Sequence, residues 1–70
     1  MIAKNLLVLR RRKGWPQKRT AYNLDLKLST YQAYEEARSE PRIRTIIKMA
    51  DLYGVTIDKL LREEIKTNIQ

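Results

Sequence analysis

Apolar side chains recur at helical spacing along this chain, and that periodicity constrains its fold more than any other feature. Ile2, Leu6 and Leu9 share one helical face, and a broad apolar stripe follows Pro41. Only two glycines and two prolines interrupt the pattern, and no stretch alternates with the period of two that indicates a strand. The chain is therefore predicted to be all-α.

Glycine and proline positions divide the chain into five predicted helices. The first ends at Gly14, after a turn of arginine and lysine that suits the negative end of a helix dipole. Thr56 is expected to cap the fifth helix. The other helices are predicted at about residues 17–24, 28–37 and 41–53. A tail at about residues 63–70 continues the apolar face of the fifth helix with Ile65 and Ile69.

The size and composition of the chain exclude several classes of function. With 70 residues it forms one domain, near the lower size limit for a core without covalent support. It contains no cysteine and no histidine, which excludes disulfides, the usual zinc ligand sets and nucleophiles activated by histidine. Glu35 and Glu36 are adjacent, so on a helix they point in different directions and cannot form a catalytic carboxylate pair. No enzymatic step, metal site or cofactor is predicted.

The sequence carries no signal for membrane insertion or export. No apolar run approaches the ~20 residues that span a membrane. The N-terminus lacks the apolar region and the small-residue cleavage site of a signal peptide. We therefore expect a cytoplasmic location.

The net charge of +7 is concentrated in the first third of the chain. Residues 1–24 hold seven basic side chains and no acidic one, whereas residues 25–70 hold eight of each. This asymmetry indicates a polyanionic partner, either nucleic acid or an anionic membrane surface. The chain has no large basic amphipathic face, which argues against the membrane.

Residues 27–41 are the most informative stretch, a short predicted helix with a polar leading end and a basic exit loop. Tyr31 and Tyr34 lie three residues apart and therefore share a face, which favours core packing over base stacking. A helix anchored in this way leaves its polar leading end free to contact another molecule. If the partner is a nucleic acid, this end is the part that faces base edges.

The polar leading end carries side chains that match the edges of base pairs. Lys27 has donors for guanine O6 and N7, Gln32 has the donor and acceptor for adenine, and the Thr30 methyl group fits a thymine methyl. Ser29 is open to two interpretations: it contacts bases, or it caps the helix, because Ser29 and Gln32 have capping-box spacing. In the second case the helix begins one or two residues later. Leu28 either touches a thymine methyl or turns inward.

A larger set of residues, from about Asn5 to Leu61 and without a gap, follows the spacing of one known family. The residues concerned are Leu9, Arg10, Lys13, Gly14, Gln17, Ala21, Leu24, Ser29, Thr30, Ala33, Tyr34, Glu35, Glu36, Arg38, Glu40, Pro41, Thr45, Lys48, Ala50, Asp51, Gly54, Val55, Asp58, Leu60 and Leu61. At these positions the chain resembles the lambda-repressor-like helix-turn-helix family, of the Cro, phage-repressor and xenobiotic-response-element type. The resemblance implies a five-helix DNA-binding domain whose helix-turn-helix unit lies at about residues 17–37.

The resemblance also implies a homodimer on double-stranded DNA, with the third helix in the major groove and the second across the phosphate backbone. Contacts with bases or nearby phosphates are expected at Lys27, Leu28, Ser29, Thr30, Gln32 and Ala33. Phosphate contacts are expected at Gln17 and Arg38, and an ion pair between Arg10 and Glu35. The dimer surface, which would otherwise expose apolar area, is predicted at Val55, Ile57, Leu61 and Ile65.

Three further basic residues are predicted to contact phosphate because they lie at helix starts. Lys18 is at the positive end of the second helix dipole, which is a natural site for an anion. Arg42 and Arg44 flank the start of the fourth helix, where two cations are unfavourable unless an anion is present.

Four residues depart from the family pattern: Pro16, Thr20, Asp25 and Ala37. Asp25 replaces a turn glycine and is expected to keep the turn, because aspartate tolerates a left-handed backbone better than most residues. Ala37 replaces the glycine that ends the third helix, and alanine in a left-handed conformation costs about 1 kcal/mol. The third helix is therefore expected to run on to Arg38 or Ser39.

We expect a sequence-specific regulator of transcription that binds double-stranded DNA, of the repressor type, acting as a homodimer. The basic first third of the chain supplies affinity, and the helix at about residues 28–37 reads the major groove. The alternative is an antitoxin-like or protein-interaction module that keeps the fold, binds a protein partner and has weak or no specific DNA binding. The four departures from the family pattern support the alternative.

Overall fold

The computed structural model describes residues 2–66 and contains five helices within that range. They are α1 (Ile2–Lys13), α2 (Gln17–Asn23), α3 (Leu28–Glu35), α4 (Ile43–Tyr53) and α5 (Ile57–Arg62). No strand is present among residues 2–66, so the prediction of an all-α, five-helix domain is confirmed. The predicted tail extends to residue 70, and its last four residues, which include Ile69, lie outside the described residues.

All five helices contribute to one apolar core. Its largest fully buried apolar side chains are Leu6, Leu24, Tyr31, Met49 and Leu60. Each such side chain contributes about 1.5–3 kcal/mol on leaving water, which is the main source of stability for a chain without disulfides. The prediction that Tyr31 packs in the core is confirmed, and Tyr34 is partly buried against the same cluster.

The ends of the helices largely follow the local sequence signals. Gly14 and Gly54 follow α1 and α4 with φ angles of 72° and 66°, in the left-handed region that glycine adopts without strain. The Thr56 hydroxyl accepts the Lys59 N–H at 3.0 Å, which confirms the predicted cap of α5. Helix α4 begins at Ile43, two residues later than predicted, because the backbone is still extended in the residue before it.

The predicted extension of α3 beyond Ala37 is wrong. Helix α3 ends at Glu35, and Ala37 adopts a left-handed conformation with φ of 60°. The Arg38 N–H donates to the Ala33 carbonyl at 2.8 Å, and the Ala37 N–H donates to the Tyr34 carbonyl at 3.3 Å. These are the two hydrogen bonds of a Schellman motif, and they offset the strain of about 1 kcal/mol at Ala37.

The turn between α2 and α3 closes in the same way. Asp25 has a φ of 61°, as predicted for an aspartate in place of a turn glycine. The Leu26 N–H donates to the Ala21 carbonyl at 2.9 Å, and the Asp25 N–H donates to the Tyr22 carbonyl at 3.0 Å. This turn fixes the direction in which α3 leaves α2.

Asn5 is a fully buried polar residue that fastens the chain after α5 to α1. Its Nδ2 donates to the carbonyl oxygens of Leu60 and Glu63, both at 2.8 Å. Its Oδ1 accepts the Ile65 N–H at 2.9 Å, and the Ile65 side chain is buried in the core. The prediction that Ile65 belongs to an exposed dimer surface is therefore wrong, because this side chain is used inside its own protomer.

No helix among residues 2–66 combines the length and the apolar composition that crossing a membrane requires.

Candidate nucleic-acid interface

Helix α3 packs against α1 and α2 with one face and leaves its N-terminal end exposed. Tyr31 anchors the buried face and is fully buried. Of the six predicted base-contacting residues, three are exposed, namely Lys27, Leu28 and Ser29. The other three, Thr30, Gln32 and Ala33, are partly buried at the edge of the helix. The exposed leading end is thus polar apart from Leu28, and it stands out from the body of the domain.

Ser29 does not cap α3. The helix begins at Leu28, and its N-cap residue is Lys27, which forms no side-chain cap hydrogen bond. Ser29 lies inside the first turn, and the Gln32 side chain bonds to Gln17. The capping-box interpretation is therefore wrong, and the exposed Ser29 side chain is left for another contact.

The carboxylate of Glu35 ties α1, α2 and α3 together. Arg10 donates to it twice, from Nε to Oε2 at 2.8 Å and from Nη2 to Oε1 at 3.0 Å. Tyr31 Oη donates at 2.5 Å and Gln17 Nε2 at 3.0 Å. The side chains of Arg10 and Glu35 are only 13% and 5% exposed. The ion pair that the family resemblance implied is present, as the centre of a larger hydrogen-bond network.

Gln17 carries this network to the exposed side of α3. Its Oε1 accepts a hydrogen bond from Gln32 Nε2 at 3.1 Å, while its Nε2 donates to Glu35. The start of α2 and the middle of α3 are thereby held at a fixed distance. The sequence alone did not indicate this link, because the two glutamines are fifteen residues apart and meet only after the helices pack.

The predicted phosphate-contacting residues lie at three separate places. Gln17 and Lys18 are at the start of α2, and Lys18 is exposed. Arg38 follows α3 and forms an exposed ion pair with Glu36 at 2.9 Å. Arg42 and Arg44 are exposed at the start of α4. No side-chain hydrogen bond or ion pair among residues 2–66 joins these three groups to one another, and only the first has a side-chain hydrogen bond to α3, through Gln17.

The only tryptophan of the chain organises the basic residues next to Gln17. Lys13 Nζ lies 5.7 Å from the centre of the Trp15 ring, and the Arg19 guanidinium lies 4.9 Å from it. The Trp15 ring also packs against Tyr53, whose ring centroid is 6.2 Å away. Trp15 therefore gathers one cation from α1 and one from α2 into a basic cluster beside the start of α2.

Glu35 also gives the stability of the fold a defined pH dependence. Burial on its own raises the pKa, but the hydrogen bonds from Arg10, Tyr31 and Gln17 outweigh burial and hold the pKa of Glu35 below its ordinary value of 4.5. A carboxyl group whose pKa is lowered by folding stabilises the fold above its ordinary pKa. This contribution is lost as the pH falls through the lowered value.

The variant Glu35→Gln tests this dependence. Its deficit in unfolding free energy relative to the wild type is expected to be largest above about pH 5 and to shrink as the pH falls below the ordinary pKa of 4.5, because Glu35 of the unfolded chain then takes up a proton more readily than Glu35 of the folded chain. Urea unfolding followed by Trp15 fluorescence across this range measures the deficit. Glu36→Gln is the matched control, since the Glu36 carboxylate is exposed. A deficit that stays constant down to about pH 3 contradicts the prediction.

A turn-linked pair of helices, the second with an exposed polar N-terminus, is the helix-turn-helix architecture of DNA-binding proteins. The family model described as Helix-turn-helix matches residues 6–60, which is most of the chain. The chain belongs to the lambda-repressor-like helix-turn-helix family, and the resemblance found in the sequence is confirmed.

The chain is similar to transcriptional regulators of bacteria and phages. It is 37% identical over 59 residues to the HTH-type transcriptional regulator AnsR of Bacillus subtilis (strain 168), over 84% of this chain and 51% of that protein. It is 32% identical over 69 residues to the cryptic phage CTXphi transcriptional repressor RstR of Vibrio cholerae, over 99% of this chain and 61% of that protein. The chain spans about half the length of the curated relatives it matches. No solved structure matches it at a comparable level of significance.

Proposed function

We propose that this chain is the DNA-binding domain of a transcriptional regulator of the repressor type, and that it recognises a specific site in double-stranded DNA. One observation carries the proposal. Tyr31 and the Glu35 network lock one face of α3 to the body, while Lys27, Leu28 and Ser29 stand exposed at its leading end. The function is occupancy of a site, with no chemical step. The cytoplasm is the compartment in which such a protein meets its DNA.

Base recognition is assigned to the first two turns of α3. Lys27 donates to guanine, and the Thr30 methyl group contacts a thymine methyl. The Ser29 hydroxyl forms a hydrogen bond with a donor or an acceptor on a base edge. Gln32 is suited to adenine, because Gln17 occupies only one of its two amide hydrogens. Its remaining N–H and its Oε1 match adenine N7 and N6. Leu28 and Ala33 supply apolar contacts at the edge of the same surface.

Phosphate contacts position the domain and supply most of the affinity. Gln17 and Lys18 face the backbone from the start of α2, beside the cations gathered at Trp15. Arg38 contributes from the loop after α3, where its exposed ion pair with Glu36 is weak enough to exchange for a phosphate. Arg42 and Arg44 stay candidates for the same role at the start of α4. Each phosphate neutralised changes the slope of log affinity against log salt by about −0.9.

The proposed active form is a homodimer on two half-sites about one helical turn apart. Val55, Ile57 and Leu61 are the members of the predicted dimer surface that are not fully buried in the protomer. The relatives' names support a regulator, and that of the Vibrio cholerae protein supports repression. They do so only for proteins of which this chain matches 51% and 61% of the length.

Selection of bound duplexes from a random library, followed by titration over a range of salt, tests the proposed function. The selected duplexes are expected to share a palindromic consensus. Lys27→Ala is expected to reduce the preference for selected over random duplex by about 5- to 150-fold, the value of one good base contact. Lys18→Ala is expected to weaken both complexes equally and to reduce the salt slope by about 0.9.

Lys59→Ala, which removes an exposed lysine from α5, is the matched control and is expected to change neither quantity. Equal affinity of the wild type for selected and random duplex would contradict sequence-specific recognition. Absence of binding to any duplex at low salt would favour the alternative, an antitoxin-like or protein-interaction module with a protein partner.

A further inference from the structure

A cavity of about 240 Å³ lies where the start of α1 meets α4 and α5, and none of its lining residues belongs to the helix-turn-helix unit. Its lining is Ile2, Glu40, Pro41, Ile46 and Leu61. Four of these five side chains are apolar, and the fifth is a carboxylate. The volume is several times the ~30 Å³ occupied by one water molecule, so the cavity has room for a side chain.

Exposed apolar side chains flank this cavity on two helices. Ile43 is 59% exposed and precedes the lining residue Ile46 by three positions, which places both on neighbouring parts of one face of α4. Ile57 precedes Leu61 by four positions on α5, and both are exposed. Exposed isoleucine or leucine therefore stands on both of the helices, α4 and α5, that contribute lining residues to the cavity. Exposed apolar patches mark interaction surfaces.

The charges at this surface are complementary to one another. Glu40 lines the cavity, and Arg42 and Arg44 stand on either side of Ile43. All three charged side chains are exposed, and none of them takes part in an ion pair within residues 2–66. The same chain thus offers an apolar recess with an acidic group and an apolar projection with two basic groups.

We infer that the occupant of the cavity is Ile43 of a second copy of this chain. Glu40 of each copy then faces Arg42 and Arg44 of the other copy. A twofold contact of this kind uses the same surface on both copies, so one cavity and one projection per chain close the assembly at two. The inference rests on the proposed function, because it supplies the surface of the proposed dimer. It assigns Arg42 and Arg44 a protein contact in place of a phosphate.

Sedimentation of the purified chain without DNA tests the apolar half of the contact. The wild type is expected to form a dimer as its concentration rises. Ile43→Asp is expected to raise the dissociation constant at least about tenfold, because it places a charge where an apolar side chain was buried twice per dimer. Tyr22→Asp is the matched control: Tyr22 is exposed on α2, and its replacement is expected to leave dimerisation unchanged. Urea unfolding of both variants verifies that they fold.

Charge exchange tests the polar half. Glu40→Arg alone, and Arg42→Glu combined with Arg44→Glu, are each expected to weaken the homodimer, since each places like charges opposite one another. A mixture of these two chains is expected to form a heterodimer, because both of its contacts then pair opposite charges. A mixture that stays monomeric while both chains are folded overturns the inference, and so does an Ile43→Asp chain that dimerises like the wild type.

Binding to a duplex with a single half-site separates this inference from the proposed function. Ile43→Asp is expected to bind a single half-site as the wild type does and to lose the advantage of the second half-site. If it dimerises normally and binds DNA, the surface is wrongly assigned and the DNA function stands. If the charge-exchanged pair dimerises but the wild type binds no duplex, the surface stands and the DNA function fails.

Discussion

Replacing Glu35 with alanine is expected to lower the free energy of unfolding by about 3–5 kcal/mol, which is the usual result of removing one partner of a buried ion pair. The Glu35 carboxylate is shared by three helices: Arg10 donates from α1, Gln17 from α2 and Tyr31 from α3 itself. Its removal leaves the Arg10 guanidinium, only 13% exposed, without its counter-charge. Domains of this size have a total stability of about 0.05–0.15 kcal/mol per residue, so the loss is a large part of the whole.

Glu36→Ala provides the comparison, because it removes the neighbouring carboxylate and also breaks an ion pair. Glu36 and Arg38 are 54% and 61% exposed, and exposed pairs contribute about 0–1 kcal/mol. Urea unfolding followed by Trp15 fluorescence measures both variants under one set of conditions. Effects that agree within about 1 kcal/mol would show that the Glu35 network does not stabilise the fold.

The same network explains why the orientation of α3 depends on residues that contact no DNA in the proposed complex. Glu35 orients the Gln17 side chain through one hydrogen bond, and Gln17 orients the Gln32 side chain through another. Arg10 extends this hydrogen-bond network by donating from Nη1 to the Trp15 carbonyl at 2.8 Å, next to the basic cluster at Trp15. A substitution at Arg10 or Glu35 is therefore expected to alter base preference in any variant that still folds.

The helices were predictable from sequence because their signals are local. Apolar spacing together with the glycine and proline positions located all five, glycine ended α1 and α4, and Thr56 capped α5. The end of α3 was mispredicted because the strain of a left-handed Ala37 was weighed alone. The two closing hydrogen bonds to the carbonyls of Ala33 and Tyr34 outweigh it, and their geometry is fixed by the packed helix rather than by residue type.

The candidate site was predictable only in part. The ion pair between Arg10 and Glu35 followed from the family resemblance, and the exposed leading end of α3 followed from the spacing of its tyrosines. The bond between Gln17 and Gln32 could not be predicted, because it depends on how closely α2 packs against α3. The apolar cavity beside Glu40 could not be predicted either, since its lining comes from three helices and one loop.

The burial of Asn5 was not predicted, although the sequence contains a signal for it. Asn5 lies on the same face of α1 as Ile2 and Leu9, three residues after the first and four before the second. A polar side chain on an apolar face is expected to be buried, and a buried polar group requires hydrogen-bond partners. Its partners lie 55 to 60 residues further along the chain, so their identity required the tertiary structure.

Asn5→Ala is expected to lower the free energy of unfolding by about 3 kcal/mol, because three backbone groups lose their hydrogen-bond partner. Each such loss costs about 1–3 kcal/mol when the group remains shielded from water. The Glu63 carbonyl can regain water in part, whereas the Leu60 carbonyl and the Ile65 N–H lie in buried hydrogen bonds. The loss of protection is therefore expected to be concentrated at Ile65. Urea unfolding gives the first quantity, and amide hydrogen exchange gives the second.

Asn23→Ala is the control, since Asn23 is exposed at the end of α2 and its replacement is expected to change stability by less than about 0.5 kcal/mol. If the Ile65 amide stays protected in Asn5→Ala, then Asn5 does not hold the segment after α5, and apolar packing of Ile65 is sufficient. If protection is lost while the core amides keep theirs, this segment opens without the rest of the domain. Asn5 is then the residue that joins α5, and with it the Leu61 wall of the cavity, to α1.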